Sequence, residues 1–271
     1  MNNEPRIQAS WRWPALIGLN LLGFALLLSW QWPATRALWE PANLWLFQQL
    51  NGSLGHVLLW DGFWAIASMR LFDILVGALL LVMTIHSGWV FNAGETRRAL
   101  FHFIALLLLL VIVRSLFGKL VPLLGWQHAS PSVQIAGAWH LSDQFPLLEQ
   151  VFEIKDRSSR SFPGDHASVL LLWGLFMACF ARGWKLLGCL AVVALCCLPR
   201  LVAGAHWLVD IGVGGAFLAL FAFAWGYCTP LAGWLAKGLE WASQPALRLA
   251  RQLPVIRDWS LLNGAQSSPR P

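Results

Sequence analysis

Residues 99–117 read ALFHFIALLLLLVIVRSLF, an apolar run relieved only by His102, Arg114 and Ser115. At about 1.5 Å of rise per residue, a helix of this length reaches across a hydrocarbon core about 30 Å thick. The pattern recurs on both sides: comparable runs occupy about 14–32, 64–86, 166–181, 186–203 and 206–228. The expected fold is therefore an all-α integral membrane protein with six transmembrane helices. Between the first two runs, Leu44, Trp45, Phe47 and Leu50 fall at helical spacing within 34–62, which predicts a short helix lying on the membrane surface.

The composition agrees. Hydrophobic residues make up 58% of the 271 and charged residues 12%, against about 25% charged in soluble domains. The formal net charge of +6 does not form one stripe or face, so nucleic acid is not the expected partner and the membrane surface is. Cys179, Cys189, Cys196, Cys197 and Cys228 lie in or beside apolar runs without CxxC or zinc spacing and read as small apolar helix residues. The first run follows Arg6 and Arg12 but has no small-x-small cleavage site, so it reads as a signal anchor. No repeat divides the chain, and 1–271 reads as a single membrane domain with a basic tail over 230–271.

Short loops rich in Lys and Arg stay cytoplasmic. With the N-terminus inside, that set is Arg6, Arg12, Arg97, Arg98, Arg182, Lys185, Lys237, Arg248, Arg251, Arg257 and Arg270, against Arg36, Lys119, Lys155, Arg157, Arg160 and Arg200 outside. Both termini are then cytoplasmic and the 118–165 loop lies on the other side, where the chemistry-bearing residues gather. Trp11, Trp13, Trp30, Trp32, Trp89, Trp184 and Trp207 stand near span ends, as interfacial anchors do.

Three clusters carry chemistry. In Ser161-Phe162-Pro163-Gly164-Asp165-His166, just before an apolar run, Asp165 is the expected helix N-cap and Gly164 allows close approach of a ligand. A helix N-terminus there would bind an anion, with His166 beside it as proton donor. In Pro199-Arg200-Leu201-Val202-Ala203-Gly204-Ala205-His206-Trp207-Leu208-Val209-Asp210, Gly204 can end one helix and His206 open the next. His206 and Asp210, four apart, would then share a helix face, so that the carboxylate fixes one ring nitrogen and frees the other to attack. The third cluster is Lys119 followed by His128-Ala129-Ser130-Pro131. Lys119, Arg160 and Arg200 together could clamp the oxygens of a phosphoryl group.

These clusters resemble the motifs KxxxxxxRP, PSGH and SRxxxxxHxxxD of the type 2 phosphatidic acid phosphatase superfamily. The third is matched from Arg200 through His206 to Asp210, with Pro199 in place of Ser; the second appears as PGDH; the first keeps Lys119 without the Arg-Pro pair. The resemblance implies a phosphatidic-acid-phosphatase-like helical bundle in which His206 becomes phosphorylated, Asp210 orients it and His166 protonates the leaving group. Lys119 and Arg200 would hold the phosphate, with Arg160, Gly164, Asp165 and His128 completing its surroundings, and neither metal nor cofactor is implied. Within the superfamily the chain is most similar to the lipid A phosphotransferases, through LNLLGFALLLSW at 19–30, HASP at 128–131, the stretch 155–166 and the stretch 199–210. That likeness implies transfer of the distal phosphate of undecaprenyl diphosphate to the 1-phosphate of lipid A at the outer, periplasmic face of the bacterial inner membrane. An undecaprenyl-diphosphate phosphatase, with water as acceptor, would use the same residues; a non-catalytic transporter or scaffold is the alternative from another class.

Other ionisable residues have plainer readings. His56, His86, His102 and His140 are expected to be satisfied interfacial residues. Arg70, Asp73 and Arg114 fall inside predicted spans, where an internal ion pair or a misplaced boundary is expected. Lys155, Asp156 and Arg157 read as solvated loop charge with substrate contact open to Lys155 and Arg157, and Glu149 and Glu153 as part of a surface helix.

Overall fold

A computed structural model describes residues 6–252 and 259–263, so Arg257 and Arg270 of the cytoplasmic set lie outside the described residues. The described chain is helical: α1 (Trp13–Gln31), α2 (Pro33–Asn51), α3 (Leu58–Ala67), α4 (Arg70–Ile85), α5 (Thr96–Leu123), α6 (Pro131–Gln134), α7 (Leu141–Gln144), α8 (Pro146–Phe152), α9 (Asp165–Ala178), α10 (Trp184–Val202), a π-helical turn (Asp210–Gly215) running into α11 (Ala216–Tyr227), α12 (Leu231–Ala250) and α13 (Ser260–Asn263). Four segments are long and apolar enough to cross a membrane: α1, α5, α10 and the π turn with α11.

The other two predicted spans differ. The expected 64–86 span is broken at Ser68-Met69 into α3 and α4, because Met69 pairs as an isolated antiparallel bridge with Ile154 and the flanking amide of Arg70 donates to Glu153 O at 3.0 Å. A helix cannot run through a residue whose backbone is extended and paired elsewhere. The 166–181 span is the 14-residue α9, about 21 Å long at the helical rise. Its Leu172, Trp173, Phe176 and Met177 are fully buried, so it is an inner helix of the bundle. Where a short surface helix was expected the structure has the 19-residue α2, started by Pro33 at its first turn.

α11 lies at the centre, packed on α1, α5 and α9, while α12 crosses α5. Leu218, Ala219, Ala222 and Ala224 of α11 are wholly buried, as expected where small residues let helices approach closely. Leucines at 21, 28, 79, 116 and 187 point outward on the other helices, giving the apolar exterior of a lipid-facing bundle. Trp30 and Trp207 depart from the predicted aromatic belt: Trp30 is buried edge-on to His128 with ring centroids 6.2 Å apart, and Trp207 donates its indole N–H to Ala129 O at 2.9 Å.

Candidate active site

The end of α10 brings Arg200 to His206. The helix closes in a Schellman turn, with Gly204 at φ +76°, its N–H on Leu201 O at 3.1 Å and the Ala205 N–H on Arg200 O at 2.9 Å. The His206 N–H also reaches Arg200 O, at 3.2 Å, so the turn sets the spacing between the two residues. A side chain at 204 would meet Phe47 and Ser132 at 2.9 and 3.0 Å as well as demand a left-handed backbone, which leaves glycine.

His206 stands in the turn that precedes the next helix, not on its face as expected. Its Nδ1 nevertheless meets Asp210 Oδ2 at 3.3 Å, because the Trp207 N–H donates to the same oxygen at 2.8 Å and pulls the carboxylate back over the turn. Asp210 is completely buried, and its other oxygen accepts from His128 Nε2 at 2.8 Å. One carboxylate therefore serves two imidazoles, and His206 Nε2 has no hydrogen bond to the described residues. The backbone at Asp210 adopts a π turn, a geometry common at functional sites. Its carbonyl accepts the Gly164 N–H at 2.9 Å. The two backbones touch so closely that a Cβ on Gly164 would lie 2.7 Å from that oxygen. Gly164 thus docks the 161–164 segment against the turn and occupies the N-cap position of α9 that the sequence assigned to Asp165.

The outer loop is held in place by its own backbone. The Ser161 N–H donates to His128 O and the Ser130 N–H to Ser158 O, each at 2.9 Å, joining the HASP segment to the stretch before His166. Asp156, expected as solvated charge, is buried and accepts the Ser142 N–H at 2.8 Å. Arg157 reaches Asp143 at 2.8 Å and Asp156 at 3.3 Å. Burial opposes its charge, yet these two carboxylates more than offset that and hold its pKa above the ordinary arginine value. Glu153 takes Lys155 and Arg70, each at 2.5 Å, and the hydrogen bonds from Lys155 and Arg70 hold its carboxyl below the usual range. Lys155 and Arg157 thus each pair with carboxylates of the same loop.

The break between α3 and α4 reaches the site. Ser68 O accepts from Arg200 Nη1 at 2.7 Å, and Asp73 in the first turn of α4 takes Arg200 Nη2 with both oxygens at 2.5 and 2.6 Å. The same carboxylate meets His166 Nδ1 at 3.3 Å, while His166 Nε2 faces Cys196 O at 3.1 Å. Asp73 therefore stands between the Arg200 guanidinium and the His166 ring. On the far side of Phe162, Arg114 forms a two-point ion pair with Asp165. A cavity of about 360 Å³ there is lined by Arg114, Arg160, Phe162, Pro163 and Asp165 among others. A second, of about 330 Å³, opens beside His128 and Trp207.

Of the predicted residues, His206, Asp210 and His128 are thus joined directly, Gly164 through the Asp210 carbonyl, and His166 and Arg200 through Asp73. Lys119, in the last turns of α5, and Arg160 are exposed, and neither side chain makes a hydrogen bond or ion pair with the described residues. His56, His102 and His140 bond to none of these groups. No cluster of three or more His, Cys, Asp or Glu able to hold a metal occurs among the described residues. Sequence reasoning missed Asp73 and Arg114 as neighbours of the site; the signal for both was an ionisable side chain inside an apolar run.

The chain is 31% identical over 229 residues to the lipid A 1-diphosphate synthase of Escherichia coli (strain K12), a match covering 80% of this chain and 89% of that protein. The chain belongs to the lipid A 1-diphosphate synthase family. No established family profile and no solved structure matches it. Membership in this family makes the chain a membrane protein related to an enzyme, and the identity spans enough of both chains to include the helices that carry the clusters described above.

Proposed function

We propose that this chain is a phosphotransferase that moves the distal phosphate of undecaprenyl diphosphate to the 1-phosphate of lipid A, through a phosphohistidine on His206. The observation that carries the reading is the contact of His206 Nδ1 with the buried Asp210 at 3.3 Å, which leaves Nε2 without a partner among the described residues. An imidazole held this way keeps its proton on Nδ1 and its lone pair on Nε2, the tautomer a nucleophile needs. Asp210 then stabilises the positive ring formed when Nε2 bonds to phosphorus. Arg200, with Lys119 and Arg160 at the open side, would neutralise the phosphoryl oxygens, each such contact contributing about 3 to 4 kcal/mol of transition-state stabilisation. His166 supplies the proton to the departing phosphate.

The same reading places the chain in the type 2 phosphatidic acid phosphatase superfamily, as a single six-span domain in the bacterial inner membrane. α3 with α4 would form one span and α9 another, both termini would be cytoplasmic, and the site would open to the periplasm, where Lys and Arg are fewest in the loops. The relative's name supports lipid A as acceptor; the diphosphate donor is supported by the motif resemblance and by the cations around the site.

Purified protein incubated with undecaprenyl diphosphate labelled in its distal phosphate, with and without lipid A, tests the proposal. Label in lipid A is the expected result. Label appearing only as free phosphate would make the chain a phosphatase, and neither product would leave a non-catalytic role. His206→Ala should abolish turnover; residual activity within tenfold of the parent would remove His206 as nucleophile.

A further inference from the structure

Each motif histidine has a carboxylate oxygen 3.3 Å from Nδ1, a hydrogen bond at His206 and an ion-pair contact at His166, although only His206 has that carboxylate within its own motif. His206 Nδ1 meets Asp210 Oδ2 at 3.3 Å, and His166 Nδ1 meets Asp73 Oδ1 at the same distance. Asp73 comes from a different helix and from no recognised cluster. It is delivered by the interruption at Ser68-Met69, which starts α4 afresh and puts Asp73 in its first turn. The carboxylate is itself fixed by Arg200, which is only 5% exposed and also anchored on Ser68 O. A carboxylate locked by two hydrogen bonds from a buried guanidinium has little freedom to leave the ring it faces.

We propose that Asp73 is the positioning residue of the proton donor: it holds His166 by Nδ1, so that Nε2 delivers and later retrieves the proton of phosphoryl transfer. The inference rests on the proposed role of His166. In the donor half-reaction, the lone pair of His206 Nε2 forms the P–N bond as the P–O bond to the departing lipid phosphate breaks. The His166 Nε2 proton passes to that oxygen, leaving a neutral ring whose Nδ1–H stays on Asp73. In the acceptor half, neutral Nε2 takes the proton from the attacking phosphate hydroxyl or water. The new P–O bond forms, and the P–N electron pair returns to His206. Asp73 keeps its charge throughout. In the structure Nε2 lies 3.1 Å from the Cys196 carbonyl, a hydrogen bond that has to give way when the proton is delivered. Among the described residues Asp73 is the carboxylate within 4.0 Å of the His166 ring.

A double-mutant cycle separates positioning from plain structure. His166→Ala alone should lower kcat by about 100-fold, within the usual contribution of a general acid; an unchanged kcat would sink the role of His166 and leave no ground for Asp73. Asp73→Asn in the parent should lower kcat by a similar factor, about 100-fold. Placed in the His166→Ala background it should lower kcat by less than about tenfold, because the ring is gone and only the contact with Arg200 remains to be lost. An equal loss in both backgrounds would show that Asp73 acts through Arg200 or the fold, and no loss in the parent would show that it does nothing; either overturns the proposal. Asp73→Ser, read in the same cycle, stands in if the Asn variant does not elute from detergent as folded protein. Failure of both neutral variants to fold would make the carboxylate a structural element and equally overturn the proposal.

Discussion

A methyl group at position 164 should disable the site without altering any side chain that does chemistry. Gly164 has φ −70°, so alanine meets no backbone penalty there and the whole effect is steric. Its Cβ would fall 2.7 Å from Asp210 O and 3.1 Å from the carbonyl carbon, where ordinary contact begins at 3.4 Å. Relief requires the two backbones to part by about 0.7 Å, since neither obstructing atom belongs to a flexible side chain. That movement lengthens the Gly164 N–H bond to Asp210 O and carries Asp165 and His166 away from Asp210 and His206. A misplacement of about 1 Å costs about 10²-fold in rate, so Gly164→Ala is expected to lose about 10- to 100-fold in phosphate transfer. Overpacking of this kind also costs about 1–3 kcal/mol of stability. Transfer of label from the lipid diphosphate, measured beside the melting temperature in detergent, reads both. Gly77→Ala, on the open face of α4 with nothing within 4 Å, is the control and should behave as the parent. Gly164→Ser, which would restore the superfamily's residue, should be as impaired as alanine. An alanine variant within twofold of the parent would refute the claim that backbone contact between 164 and 210 sets the site.

Two other outcomes follow from the same geometry. Asp210→Asn should remain folded, since the amide can still accept from His128 or the Trp207 N–H, yet lose about 10⁴-fold in turnover by presenting His206 in the wrong tautomer; activity within tenfold of the parent would separate Asp210 from the nucleophile. Glu153, whose carboxyl is held low by Lys155 and Arg70, contributes stability above the carboxylate's unfolded pKa and loses it as pH falls through the folded value. The melting-temperature gap between the parent and Glu153→Gln should therefore be small near neutrality, as suits a side chain 46% exposed, and should close on acidification; a gap constant with pH would contradict the assignment.

Much of the site was legible because its rules are local. Gly204 ends α10 and places Arg200 and His206 within one turn, and Asp210 follows at a spacing that any helical entry keeps within reach. The partner of His128 was not legible, since its bond to Asp210 spans 82 positions and depends on the 124–164 loop folding back over the π turn. The carboxylate partners of Lys155 and Arg157 were likewise not legible, since Glu153, Asp143 and Asp156 reach them only through the folding of the outer loop.

Sequence alone determined that this chain lives in a membrane and is built of helices, because apolar length and charge placement act residue by residue against a bilayer of set thickness. It also determined which histidines and carboxylates could act together over short spacings. Only the tertiary structure decided that the apolar run at 64–86 breaks at Ser68-Met69, and that the break sets Asp73 against Arg200 and His166, 127 and 93 positions away. Hydropathy is blind to that choice, since a paired backbone at Met69 and a buried ion pair gain their stability from partners that only packing supplies.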